Sequence, residues 1–275
     1  MIKLRQAIAE NDALLAALDI ASIFTPTMSV VEYQTKISEL ELRLAATHAD
    51  SASPNNQPTV LSIKRLQHLI CGFHRQLLFS ADPTQILSSK NCLMNHVVDF
   101  RRGLPVTMGI LLIHIARQLG YDLQGVNFPG HFILRYQHTA TRSYFIDPLT
   151  AECMSFRQLE TLYQDITGEE ELEEEVLLPA STQAIVVRLL SNLKSAFLYE
   201  EQFHHALSCV DLLVQLCPDD PYERRDRGVL LHQMECHKVA LEDYHHFIKS
   251  CPADPAAQLL KLQLRHVQAL PVVLH

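Results

Sequence analysis

The chain has 275 residues, 48% of them hydrophobic, with eight glycines, no tryptophan and seven cysteines. That is enough apolar material for a proper core, and the shortage of glycine favours helix over sheet. A formal charge of −8, with Lys and Arg scattered and no basic stripe, argues against nucleic acid and against an anionic membrane surface as partners.

Residues 1–24 carry Glu10, Asp12 and Asp19 among their apolar residues, which predicts one amphipathic helix rather than a signal peptide. No uncharged apolar stretch approaches the length of a membrane span. A second helix starts at Pro26, with Val31, Ile37, Leu40, Leu42 and Leu44 at roughly helical spacing. A polar loop, ADSASPNNQP, precedes a third helix after Pro58, which carries Leu61, Ile63, Leu66, Leu69 and Ile70. His68 and His74 lie on that helix and read as solvated or core-edge imidazoles. The seven cysteines are odd in number and widely spaced, with no CxxC pair, so they read as reduced thiols of a cytoplasmic protein.

Residues 90–165 change character. NCLMNHVVDFRRG predicts a helix stopped at Gly103, and LPVTMGILLIHIARQLG an almost wholly apolar one from Pro105 to Leu119, stopped by Gly120. A helix apolar all round is a central one. YDLQGVNF reads as a strand. The next two, in NFPGHFILRY and RSYFIDP, form a hairpin whose first strand is apolar on both faces and therefore buried. Centring the hairpin near Thr139 sets His131 opposite Asp147, and a His beside an Asp at the open end of a buried hairpin resembles part of an active site. The run GEEELEEEVLLP reads as a solvated linker.

Residues 201–221 repeat at 235–255 with a shift of 34. Ala206, Leu207, Cys217, Pro218, Asp220 and Pro221 fall on Ala240, Leu241, Cys251, Pro252, Asp254 and Pro255. That period is the tetratricopeptide signature, in which a small residue lets paired helices approach closely, and a module of this kind takes a protein or peptide partner. Leu193, Phe197, Gly228 and Tyr244 stand at consensus positions, and residues 256–270 supply a capping helix. The pairs His204–His205 and His245–His246 diverge by about 100° on a helix, so neither chelates a metal from one face. No cofactor or metal set is read from the chain.

The order helix, strand, then hairpin bearing His and Asp resembles the core of transglutaminase-like proteins. The blocks RRGLPVTMGILLIHIARQLG, GVNFPGHFILRY, IDPLTAE and DDPYERRDRG are similar to those of the bacterial SirB-one family. The resemblance implies an α+β, mostly helical protein with a papain-like core, a small antiparallel sheet and C-terminal tetratricopeptide helices. It divides the chain into an N-terminal helical region (1–88), the core (89–167), an acidic linker (168–182) and the repeat module (183–275). In the superfamily a Cys at the amino end of the central helix joins the His and Asp in a triad, because the helix terminus and the His lower the thiol pKa. Here Gly103 and Leu104 match the first two positions of that step and Pro105 occupies the nucleophile position. Proline has no nucleophile. Thr107 reads as support for the helix start, Cys92 as a buried thiol and Cys153 as a weak substitute. The expectation is a non-catalytic interaction protein; the alternative is an amide- or acyl-processing enzyme using His131 and Asp147 with another nucleophile.

Overall fold

The computed structural model describes residues 1–50, 63–81 and 87–268, which divide into two compact units, Met1–Asn192 and Leu193–His275. Residues 51–62, which hold Leu61 and all of the expected polar loop but its first two residues, lie outside the described residues; those two, Ala49 and Asp50, belong to the helix Val30–Asp50.

The first unit opens with two helices where one was expected, α1 (Ile2–Ala9) and α2 (Ala13–Phe24). Asn11 turns into the left-handed region (φ 55°), and the Asp12 side chain accepts from the Leu15 N–H at 2.9 Å, starting a new helix. The break lets α2 lie buried from Ala16 to Ala21. In α3 (Val30–Asp50) the inward stripe is Tyr33, Ile37, Leu40 and Leu44, whereas Val31 and Leu42 face solvent. Steps of three and four residues keep that stripe on one face; Val31 and Leu42 fall off it. α4 (Ile63–Arg75) buries Leu66, Leu69, Ile70 and Phe73.

The helix expected to stop at Gly103 is two short ones, α5 (Ser89–Cys92) and α6 (Met94–Phe100), and the second ends at Arg101, itself left-handed (φ 58°). α7 (Pro105–Gln118) is the predicted central helix, buried at every position from Val106 to Ile113. Its first turn is closed by Thr107, which is fully buried. The Thr107 hydroxyl accepts from the Leu104 N–H at 2.9 Å, and its own proton is within reach of the carbonyls of Asn91 (3.1 Å) and Leu104 (3.0 Å).

Four strands, β1 (Leu123–Val126), β2 (Ile133–Thr139), β3 (Arg142–Ile146) and β4 (Cys153–Met154), form an antiparallel sheet in sequence order. The segment entering β2 is buried on both sides, as its sequence predicts. The Phe132 ring packs against α7 at Gly109 and against β1 at Gly125. Ile133 points the other way, joining Val126, Phe128, Leu159 and Tyr163. Leu159 and Tyr163 belong to α8 (Phe156–Thr167), so the sheet lies between α7 and α8. Within the acidic run, read from sequence as a solvated linker, a 3₁₀ turn at Glu174–Leu177 instead buries Leu177 in the same cluster. α9 (Thr182–Tyr199) follows and runs across the division between the units.

The second unit contains α10 (Phe203–Leu216), α11 (Pro221–Gln233), α12 (His237–Ser250) and α13 (Pro255–Gln268). The internal repeat is reproduced in the backbone: Cys217 and Cys251 end their helices at φ/ψ −126°/67° and −125°/59°, and Glu201 and Glu235 are both left-handed. Gly228 takes the edge of the Tyr244 ring, where an added Cβ would meet Cδ1 and Cε1 at 2.8 Å. Asp243, 1% exposed, takes two hydrogen bonds from Arg227, at 2.6 and 2.7 Å, and holds that guanidinium above its usual range.

Candidate functional site

The sequence PGH is a turn before it is a site. The His131 N–H donates to the Phe128 carbonyl at 3.0 Å, with Pro129 and left-handed Gly130 (φ 65°) between them. Proline then glycine at the two central positions is what a type II turn requires. Gly130 also meets α8, since a Cβ there would sit 2.9 Å from Cδ1 of Ile166, and Arg188 of α9 donates to the same Phe128 carbonyl at 2.9 Å. The turn therefore stops short of β2 and delivers His131 to the surface. His131 is exposed, and its Nδ1 lies 3.0 Å from its neighbour's carbonyl, that of Gly130.

Asp147 sits in a second tight turn. Its Oδ1 accepts from the Leu149 and Thr150 N–H groups at 2.6 and 3.2 Å, the Asx arrangement that carboxylates make with backbone two residues on. The expected facing of His131 and Asp147 is corrected by the sheet. Leu134 pairs with Ile146, so the register places Asp147 across from Ile133, two residues past His131. The displacement comes from the turn, which lies at Ala140–Thr141 rather than at Thr139 (Thr139 pairs with Arg142), and the irregularity between Gln137 and Thr139 takes back one residue of that shift. Each side chain accordingly makes local hydrogen bonds rather than one to the other.

His131 and Asp147 nevertheless line one open concavity of about 450 Å³, together with Ser155 and Thr161 of the α8 segment. Both hydroxyls make hydrogen bonds within the α8 segment. Ser155 caps α8 and donates to Gln158 Oε1 at 2.7 Å, and Thr161 donates to the Arg157 carbonyl at 3.0 Å. Among the described residues, no cysteine lines it, nor does any residue of the first turn of α7.

The thiol candidates lie elsewhere. Cys92 is 2% exposed. Cys153 accepts from Gln67 Nε2 at 3.0 Å, and burial pushes its thiol up, the opposite of what a thiolate nucleophile needs. Pro105 stands at the first position of α7, and Thr107 is committed to the cap.

His74, read from sequence as a bystander, braces the site from below. Its Nδ1 lies 2.8 Å from the Phe79 carbonyl and its Nε2 3.0 Å from that of Pro148, joining α4 to the turn that carries Asp147. The two acceptors are five and seventy-four residues away along the chain, so no local pattern marks them. Among the described residues, no group of three or more His, Cys, Asp or Glu could hold a metal ion, and no helix is long and apolar enough to cross a membrane.

The second unit carries a larger, apolar concavity of about 970 Å³ between α11 and α13, lined by Val229, Tyr244, Leu259, Leu260 and Leu264.

Comparison with known proteins gives two consistent results. The transglutaminase-like superfamily matches residues 32–191, and a tetratricopeptide repeat matches residues 193–265. A UPF0162 protein of Vibrio cholerae serotype O1 is 38% identical over 201 residues, 73% of this chain and 74% of the relative. The protein SirB1 of Salmonella typhimurium and the UPF0162 protein YchA of Escherichia coli K12 are each 32% identical over 213 residues, 77% of this chain and 79% of theirs. No solved structure matches the chain.

Proposed function

The chain belongs to the transglutaminase-like superfamily, in the group that includes SirB1 and the UPF0162 proteins, and from that premise we propose that it is a non-catalytic interaction protein. In this reading the core is degenerate: it retains His131 and Asp147 but offers no sulfur at Pro105. The observation that supports the reading is the first turn of α7, where proline stands at the position that the family resemblance gives to the nucleophile and the Thr107 hydroxyl is buried in its own cap. A triad hydrolase needs nucleophile, base and orienting group in one geometry. The repeat module then supplies the working surface, with a protein or peptide partner seated in the apolar concavity between α11 and α13. We place the protein in the cytoplasm, a compartment that suits seven free thiols.

The test is to assay amine exchange and peptide hydrolysis over a broad glutaminyl and peptide panel, with and without a thiol-alkylating reagent. No turnover is expected. Turnover abolished both by alkylation and by His131→Ala would instead establish an enzyme using His131 and Asp147, and the labelled cysteine would identify its nucleophile.

A further inference from the structure

A cavity of about 360 Å³ lies in the first unit, where the corner between α1 and α2, α7, β1 and the start of α9 meet. It shares no lining residue with the concavity of His131 and Asp147. Leu14, Ile110, Ile113 and Ile185 form its apolar wall. Each is otherwise buried in the core, which fixes the wall before anything binds. The rim is pinned as well. The Ala180 N–H donates to the Gly125 carbonyl at 2.8 Å, and Arg117 donates to the Asn11 carbonyl at 3.4 Å.

The polar side chains of that rim divide into spent and unspent groups. Asp12 Oδ1 caps α2, Ser181 Oγ accepts from the Ala184 N–H at 3.2 Å, and His114 Nε2 lies 2.8 Å from Glu41 Oε1. Arg117 and Asp122 are exposed and line the same cavity, yet among the described residues neither forms an ion pair. Arg117 uses one of its five N–H donors, and Asp122 uses only Oδ2, which accepts from Gln124 at 3.1 Å. The turn that ends α7 brings the two to one end of the cavity. Gly120 is left-handed (φ 83°) and its N–H donates to the Arg117 carbonyl at 3.1 Å. The Tyr121 N–H donates to the Ala116 carbonyl at 2.9 Å, so Arg117 and Asp122 each adjoin one partner of that bond.

We propose that this cavity binds a free α-amino acid with an apolar side chain, its carboxylate on Arg117, its ammonium on Asp122 and its side chain against Ile110, Ile113 and Leu14. Ligand cavities run upward from about 300 Å³, so this one suits a small molecule. A lone carboxylic acid would bring a third negative charge beside Asp12 and Asp122, against the single guanidinium of Arg117. A lone amine would leave Arg117 without a counter-ion. A zwitterion answers both groups and leaves the net charge of the site unchanged. Binding there needs neither the His131 concavity nor the repeat module.

The test is a calorimetric titration of L-leucine into the full chain. Three further ligands each lack one feature: 4-methylpentanoate the ammonium, 3-methylbutylamine the carboxylate, and L-asparagine the apolar side chain. Saturable binding of L-leucine at one site is expected below about 10 mM, with each of the other three weaker by about tenfold or more. Arg117→Gln and Asp122→Asn change exposed side chains, and the asparagine oxygen still accepts from Gln124. Each variant is expected to keep the melting profile and to lose about tenfold or more in L-leucine affinity. Should one variant melt lower, the other gives the same reading, and the ligand series on the unaltered chain decides if both do. No saturable binding of L-leucine, equal affinity for any of the other three ligands, or undiminished L-leucine affinity in either variant would each overturn the proposal.

Discussion

The ring of Phe132 fills the space that a side chain at Gly109 would take, and that contact holds β2 against the central helix. A Cβ on Gly125 would lie 2.5 Å from Cζ of the same ring, and one on Gly109 would lie closer still. The ring is clamped between two glycines, one on α7 and one on β1, directly beside His131. The position of the surface histidine thus depends on a buried neighbour.

Gly109→Ala sets two effects against each other. Alanine in place of glycine inside a helix gains about 1 kcal/mol, whereas overpacking a full core costs about 1–3 kcal/mol. Because Phe132 is fully buried and has no route of retreat, overpacking wins, and urea denaturation should show a net loss of stability. Phe132→Ala, which leaves a cavity instead, should cost about 3–5 kcal/mol.

Thr107→Val keeps the shape of the side chain and removes the cap. The Leu104 N–H then loses its acceptor at the start of α7, so a loss of about 1–3 kcal/mol is expected in chemical unfolding. Thr107→Ser retains the hydroxyl and should recover most of it.

His74→Ala removes a brace between two carbonyls. The Phe79 and Pro148 oxygens lose their imidazole partner, at a cost of about 1–3 kcal/mol. The diagnostic readout is local: amide exchange at Leu149 and Thr150, whose N–H groups are held by Asp147, should accelerate more than exchange in the repeat module.

Asp243→Ala should be the most damaging of these changes in the second unit. Arg227 would keep only Asp211, at 3.3 Å, and breaking a buried ion pair from one side costs about 3–5 kcal/mol. Replacing both Arg227 and Asp243 by apolar residues of similar volume should restore much of the loss, as read from the denaturation midpoint.

Asp19 gives a pH dependence with a definite sign. It is 7% exposed, and burial raises its carboxyl above the usual range, only partly opposed by Lys3 and the amino terminus. A raised carboxyl binds its proton more tightly in the folded state, so its contribution is most favourable at acid pH and is lost as pH rises through its folded value. Asp19→Asn should therefore stabilise the protein at neutral pH, and the gain should vanish as the melting experiment is moved below about pH 4.

Local pattern settled a good deal of this protein in advance. The 34-residue period, the small Ala206 and Ala240 and the Pro218 and Pro252 stops are repeated within a single stretch of chain, and the backbone angles at Cys217 and Cys251 reproduce them. Pro105 and Gly120 bracket α7, because helix ends are decided by residues within one turn of themselves. The absence of a thiol at position 105 is a fact of the sequence and needs no coordinates.

What remained was decided by contacts between residues far apart. The hairpin turns at Ala140–Thr141 instead of at Thr139, and that withdrew Asp147 from His131, since register depends on what each face must bury rather than on the turn residues alone. Tyr33, on the inward stripe of α3, found its partner in Asp99 of α6, 66 residues away along the chain. His74 acquired its role from Pro148. In each case the energy lies in a contact between distant segments, where no local period records it.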